Sequence, residues 1–279
     1  MIMELYRKNN LDCSRITTRN YSTSFSLGVR MLNARYRPGI YSIYGYVRYA
    51  DEIVDTFFEQ DQRLLFNEFK AESWKAIERG FSINPIIDSF QEAVRHYSID
   101  HHLIEAFLSS MEMDLYQSEY DPRLLERYIY GSAEAVGLMC LRVFYFDEPE
   151  KYAGLVEPAR KLGAAFQKVN FLRDAQDDFE NKGRIYFQDI DFRRFDLASK
   201  RRIEAEIDAD FKAAYQGIRA LKKEVRFGVY LAYIYYLRLF RKIKRARPAD
   251  ILRQRYRLSN PRKMYLLANA YLKNAFNIL

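Results

Sequence analysis

An all-α bundle, folded as one domain over residues 1–279, is the architecture this sequence predicts, and three observations predict it. Breakers are scarce, with 11 Gly and 7 Pro in 279 residues, while Leu, Ile, Ala, Arg, Lys and Glu are plentiful. Apolar residues recur at helical spacing nearly throughout, and no alternating strand pattern of useful length interrupts them. The breaks between periodic segments carry helix-boundary chemistry. A chain of this length buries an ample core, and no Gly/Ser-rich linker or solenoid-spaced repeat divides it.

Taken in order, the periodicity places helices over 12–32, 37–58, 61–79, 85–97, 100–117, 122–145, 149–180, 197–223, 225–246, 248–256 and 260–277. Pro38-Gly39 precedes the second helix. Asn84-Pro85, Asp121-Pro122 and Glu148-Pro149 open later ones, because proline suits a first turn whose N–H has no intrahelical partner. Lys182-Gly183 closes the long 149–180 helix, as glycine does beyond a helix C-terminus.

Composition narrows the function classes. The net charge of +8 points to an anionic partner: nucleic acid, a membrane surface or a phosphorylated substrate. No nucleic-acid-binding module accompanies the charge, so nucleic acid is not expected. The 23 Tyr and 20 Phe could fill a core or line an elongated apolar cavity, and composition does not choose. Cys13 and Cys140 lack paired or metal-ligand spacing, so reduced thiols and a cytoplasmic setting are expected. The segment "MIMELYRKNN" has no apolar core of signal length, and "LAYIYYLRLF" (231–240) is interrupted by Arg238 and too short to span a bilayer. There is no P-loop and no G-x-G-x-x-G.

Two helical stripes that should be apolar are not. In the 37–58 helix, positions three and four apart read Tyr41, Tyr44, Arg48, Asp51, Asp55, Phe58, flanked by Ile40, Ile43, Val47, Ala50 and Val54. In the 149–180 helix the line Gly163, Gln167, Asn170, Asp174, Asp178 runs beside Leu162, Phe166, Val169 and Leu172, with Arg173 and Asp177 adjacent. A single Asp-x-x-x-Asp is commonly a solvated face with local ion pairs. Two such lines, each in an apolar helix and each joined to an arginine, point to carboxylates converging across a bundle. Converging carboxylates repel and raise one another's pKa unless a cation enters. Mg²⁺, with Mn²⁺ as the alternative, suits that role: it prefers oxygen ligands and bridges carboxylates to substrate phosphate. Arg48 and Arg173 then become phosphate clamps. His96, His101 and His102 lie off both stripes, which argues against transition-metal chemistry.

"YGYVRYADEIVD" resembles the first aspartate-rich motif of the squalene/phytoene synthases, the head-to-head prenyl synthases, and "AFQKVNFLRDAQDDFENKGRIYF" (165–187) resembles their second. "STSFSLGVRML" (22–32) is similar to their N-terminal serine-phenylalanine segment, and "YIYGSAEAVGLMC" (128–140) to the small-residue helix beside their substrate tunnel. The matches occur in family order and span nearly the whole chain. The resemblance implies an isoprenoid synthase bundle with a central cavity, prenyl diphosphate substrates, Mg²⁺, and no NADPH for a phytoene product. Carried over residue by residue, Asp51, Asp55, Asn170, Asp174 and Asp178 would hold the metal. Tyr21, Ser22, Ser24, Tyr44, Arg48, Gln167 and Arg173 would contact diphosphate or the adjoining isoprenoid, with Tyr186 and Tyr235 near the reaction centre and Phe25, Tyr44 and Tyr235 facing cationic intermediates. Catalysis would rest on Asp51, Asp55, Asp174, Asp178, Arg48 and Tyr44. Departures from the pattern are Glu52, Asp177, Gln188 and Glu134, the last standing where a glycine is usual and so bearing on tunnel shape.

The expected reaction condenses two geranylgeranyl diphosphates to phytoene through a cyclopropylcarbinyl (prephytoene) diphosphate. Squalene or dehydrosqualene formation from two farnesyl diphosphates is the alternative. A chain-elongating synthase or terpene cyclase fits less well, since elongators carry D-D-x-x-D on both helices, and a non-catalytic membrane-associated helical protein is disfavoured by the intact acidic stripes. The preference for C20 rests on similarity to bacterial carotenoid-type members and on the lack of the C-terminal anchor found in eukaryotic squalene synthases. The basic stretch 238–257, nine Arg and Lys against Asp250, is the candidate contact with anionic lipid headgroups at the inner face of the membrane.

Overall fold

The computed structural model describes residues 2–117, 119–181, 183–186 and 195–275. The last two residues of the expected 260–277 helix, and Gln188, lie outside them. Thirteen α-helices are found among the described residues: α1 Ile2–Tyr21, α2 Thr23–Arg30, α3 Arg37–Asp55, α4 Gln62–Arg79, α5 Pro85–Tyr97, α6 His101–Tyr116, α7 Pro122–Ile129, α8 Ala135–Tyr145, α9 Pro149–Glu180, α10 Leu197–Ala220, α11 Lys223–Lys244, α12 Pro248–Ile251 and α13 Asn260–Ala275. The only pairing of strand type among these residues is an isolated bridge between Glu119 and Ile185.

Several expected boundaries change, each for a local reason. The 12–32 helix is two helices, because Ser22 is extended (φ −143°, ψ 102°) and its side chain accepts the Phe25 N–H as an N-cap. The first of them begins ten residues earlier, at Ile2. The 37–58 helix ends at Asp55, so Phe58 falls off the stripe and stands exposed. The 122–145 helix contains a π-turn, Tyr130–Glu134, and 248–256 is one turn that stops at Ile251. Asn84, Asp121 and Asp196 cap their helices by accepting backbone N–H groups, which explains why those starts were legible.

One buried cluster runs through the bundle. The apolar neighbours of the α3 stripe, Ile40, Ile43, Ala50 and Val54, are buried, and Tyr46 is stacked on Phe90 with centroids 3.8 Å apart. Helices α8 and α9 pack antiparallel through small residues. A Cβ on Gly137 would lie 3.3 Å from the Ala159 carbonyl, and one on Gly163 would lie 2.6 Å from that of Ala133. Helices α2 and α11 meet as closely, with a Cβ on Gly228 reaching 2.6 Å from the Gly28 carbonyl and 2.5 Å from Leu32. Such contacts leave α9 as a long wall, with α2, α3, α8, α10 and α11 around the space in front of it.

Candidate active site

That space is a cavity of about 290 Å³ with an overwhelmingly apolar lining. On α9 its wall is made by Leu155, Pro158, Ala159, Leu162, Gly163, Phe166, Gln167 and Asn170, a stripe at three-and-four spacing. Leu155 to Asn170 is 15 steps of helix, about 22 Å. The antiparallel register of α8 sets Leu141 and Phe144 toward Leu155, so one end of the cavity is lined by bulky apolar side chains. The other end reaches the two polar stripes, through Tyr44 and Val47 of α3 and through Gln167 and Asn170 of α9.

Two stacked aromatic pairs guard this polar end. Phe25 and Tyr44 stack with centroids 4.7 Å apart, and Phe166 and Tyr236 with centroids 4.0 Å apart. The Tyr236 hydroxyl donates to Asn170 Oδ1 at 3.3 Å, while Asn170 Nδ2 donates to Gln167 Oε1 at 3.3 Å. Burial pushes the Tyr44 hydroxyl up to about 12, although Arg48 and a hydrogen bond with Ser22 pull it down. Tyr44 therefore stays a neutral hydrogen-bonding phenol at physiological pH. Ser22, Tyr44 and Arg48 are thus neighbours, and the Arg48 guanidinium lies over the Tyr21 ring, 4.4 Å from its centroid. Ser24 is half-buried in the first turn of α2.

Beyond the aromatic pairs, arginines engage the acids. Arg48 donates to Asp51 Oδ2 at 2.5 Å and also to Glu52. Arg173 Nε donates to Asp174 at 3.0 Å, and Arg255 Nε lies 2.7 Å from the same carboxylate. Arg184 Nη1 donates to Asp55 at 2.6 Å and lies 3.5 Å from Asp114. Asp178 is buried at the end of α9, and its carbonyl accepts the Arg184 N–H at 2.8 Å. Burial works against the Arg184 charge, and Asp114 with Asp55 more than offsets it, so the guanidinium stays firmly protonated.

Three of the sequence-selected residues sit elsewhere. Tyr41 is buried outside the cavity lining. Tyr235 points to α13, where its hydroxyl donates to the Lys263 carbonyl at 2.9 Å. The cavity face of α11 is Gly228, Val229, Ala232 and Tyr236, so one position, about 100° of helix rotation, separates Tyr235 from the wall. Tyr186 is packed in a ring cluster with Tyr120, Tyr128 and Phe171 behind the acidic end. Sequence reasoning missed Tyr236, Asp114, Arg184, Arg255 and Lys263, whose Nζ donates to Thr23 Oγ1 at 2.8 Å beside the Ser22 cap. Asp114 accepts hydrogen bonds from Tyr120 and Tyr128, both at 2.9 Å, and burial pushes it up to about 7 against the pull of Arg184. An acid within the apolar run of α6 was its one signal.

The donor set suits a hard cation by type, since Asp51, Asp55, Asn170, Asp174 and Asp178 offer only oxygen ligands once the carboxylates are ionised. Among the described residues no three His, Cys, Asp or Glu side chains are gathered tightly enough to hold a metal. Their repulsion is relieved here by Arg48, Arg173, Arg184 and Arg255, so a divalent cation would enter by displacing guanidinium groups that are themselves matched to phosphate oxygens.

The family described as "Squalene/phytoene synthase" matches residues 18–262. The chain is 26% identical to the phytoene synthase of Arthrospira platensis over 292 residues, covering 96% of this chain and 94% of that one. It is 28% identical over 207 residues to the 4,4'-diapophytoene synthase of Staphylococcus haemolyticus, covering 73% of this chain and 70% of that one. Its fold is similar to the crystal structure of a dehydrosqualene synthase in complex with ligand, with a TM-score of 0.79, 22% identity, and coverage of 96% and 98% of the two chains. The chain therefore belongs to the squalene/phytoene synthase family, a family of prenyltransferases.

Proposed function

We propose that the protein joins two geranylgeranyl diphosphates head to head to form phytoene, in carotenoid biosynthesis. One observation carries the reading: an apolar cavity, lined at one end by Leu141, Phe144 and Leu155, reaches at the other the arginines and acids of two helices. A prenyl tail fits the first part and its diphosphate the second.

In this reading Asp51, Asp55, Asn170, Asp174 and Asp178 would hold Mg²⁺, which when bound would supply positive charge that favours diphosphate departure. Arg48 and Arg173 hold the diphosphate oxygens as the C–O bond of the first substrate breaks and the electron pair leaves with the diphosphate. The allylic cation is attacked by the double bond of the second substrate, a proton is lost, and a cyclopropylcarbinyl diphosphate results. Its own C–O bond then breaks, the ring rearranges, and loss of a proton yields the triene. No hydride is consumed, so no NADPH is required. The faces of Phe25, Tyr44, Phe166 and Tyr236 stabilise the cations, and the apolar wall keeps water from capturing them. Released diphosphate accepts the final proton.

A second reading has its own support. The similarity to a diapophytoene synthase and a dehydrosqualene synthase favours farnesyl diphosphate and a C30 product. Incubation with Mg²⁺ and labelled geranylgeranyl or farnesyl diphosphate, followed by hydrocarbon extraction, separates the two. C40 product from geranylgeranyl diphosphate is expected, C30 product alone replaces the first reading with the second, and no product from either substrate defeats both.

A further inference from the structure

We infer that the outward face of α13 is a docking surface for a bilayer carrying anionic headgroups, placed beside the cavity mouth. Met264, Tyr265, Tyr271 and Leu272 are 55%, 67%, 60% and 55% exposed. With Ala268 they occupy one arc of the helix, while Leu266 and Ala270 on the opposite face are buried. A short helix that is apolar on its exposed side as well as its packed side marks an interaction surface. Its charge says which kind. From 251 to 275 the chain carries Arg253, Arg255, Arg257, Arg262, Lys263 and Lys273 and no acid. Arg253, Arg257 and Arg262 make no ion pair with the described residues. An apolar stripe with basic flanks lies in the plane of an anionic membrane surface. A second copy docking by the same face would bring two basic fringes together, which like-charge repulsion opposes.

The location differs from the basic run 238–257 as a whole. Several cations of that run are engaged within the protein: Lys244 with Asp208, Arg247 with Asp250, and Arg255 with Asp174. Helix α13 is also tied to the cavity wall. Lys263 reaches Thr23 at the start of α2, whose Phe25 and Gly28 line the cavity, and Tyr271 meets the ring of Phe227 on α11. A hydrocarbon leaving the mouth would thus emerge next to lipid, although the docking itself does not depend on which prenyl chain the site takes.

The test is flotation of the full-length protein with phosphatidylglycerol-containing vesicles against neutral phosphatidylcholine vesicles, at low and high salt. Wild type should float with the anionic vesicles only, and less at high salt. Met264→Ser/Tyr265→Ser/Leu272→Ser should float about tenfold less or weaker still. Arg257→Glu/Arg262→Glu should lose the salt-sensitive part, and it serves alone if the triple variant fails to fold by circular dichroism. Unchanged flotation of the folded variants overturns the proposal, as does a dimer in sedimentation that the triple variant abolishes without any vesicle binding. Turnover of detergent-dispersed substrate by the triple variant should match wild type. Absence of turnover in wild type that still floats with anionic vesicles would bear on the catalytic reading and not on this one.

Discussion

Arg184 and Asp55 are 129 residues apart in sequence and 2.6 Å apart in space. The same guanidinium donates to the Val54 and Asp114 carbonyls, which ties the segment after α9 to the ends of α3 and α6. Replacing Arg184 with Gln leaves a buried carboxylate facing no cation, an effect of about 3–5 kcal/mol. Denaturant midpoints should record that loss, with Arg184→Lys falling between because an ammonium cannot serve both acids and two carbonyls in one fork. Equal midpoints for wild type and Arg184→Gln would remove Arg184 from this role.

The buried carboxyl of Asp114 makes stability depend on pH. Its folded-state pKa, near 7, is raised above the ordinary 3.8, so folding favours the protonated form. That contribution is fully present below about pH 4 and is lost as pH rises through about 7. Asp114→Asn should flatten the difference in unfolding free energy between about pH 5 and about pH 8. A slope as steep in the variant as in wild type would assign the dependence to other groups.

Removing one acid from either stripe should stop turnover while sparing the fold. Asp51→Asn and Asp174→Asn are each expected to lower diphosphate release by at least about 10²-fold, the scale of losing one group that stabilises developing charge. Circular dichroism should be unchanged, because both side chains are only half-buried. Full activity in either variant would refute the metal assignment.

The apolar end of the cavity, away from the acidic stripes, should discriminate chain length. Cys140 lines it one turn from Phe144, in a thiol environment dry enough to push its pKa up to about 12. Cys140→Phe fills part of that end and should reduce kcat/KM for geranylgeranyl diphosphate about tenfold or more relative to farnesyl diphosphate. An unchanged ratio would place the tail elsewhere.

The contact between α2 and α11 tolerates no side chain. Gly228→Ala gains about 1 kcal/mol of helix propensity, yet its Cβ would press on the Gly28 carbonyl and on Leu32. A net loss of about 1–3 kcal/mol is expected from forcing two backbones apart, and a melting temperature equal to or above wild type would contradict it.

How much of this was legible in the sequence follows from what each feature depends on. The bounds of α5 and α9 come out as read, since proline at both first turns and the Asn84 cap of α5 are local signals. The α1–α2 break hides in one serine hydroxyl, which composition treats as another helix residue. Tyr44, Arg48, Gln167 and Asn170 were visible because periodicity alone puts them on one face. Tyr236 was lost to its neighbour Tyr235, since in "YIYY" only packing against α13 decides which ring turns inward. Arg184 and Arg255 come from outside the two stripes, so no periodicity could bring them to Asp55 and Asp174, and none could bring Lys263 to Thr23.

The π-turn at Tyr130–Glu134 works as a phase step. An extra residue in one turn advances everything after it by roughly 100° around the axis, so α7 and α8 present different sides of what the pattern reads as one helix. Ser132 and Ala133 within the turn, and Val136, Gly137 and Cys140 beyond it, line the cavity. The Glu134–Arg160 contact at 2.7 Å and the Ala133–Gly163 approach pin the step from the α9 side. Deleting a single residue there would leave the helix intact and rotate its small-residue face relative to the cavity, so the width of the cavity would follow a count of residues rather than their size.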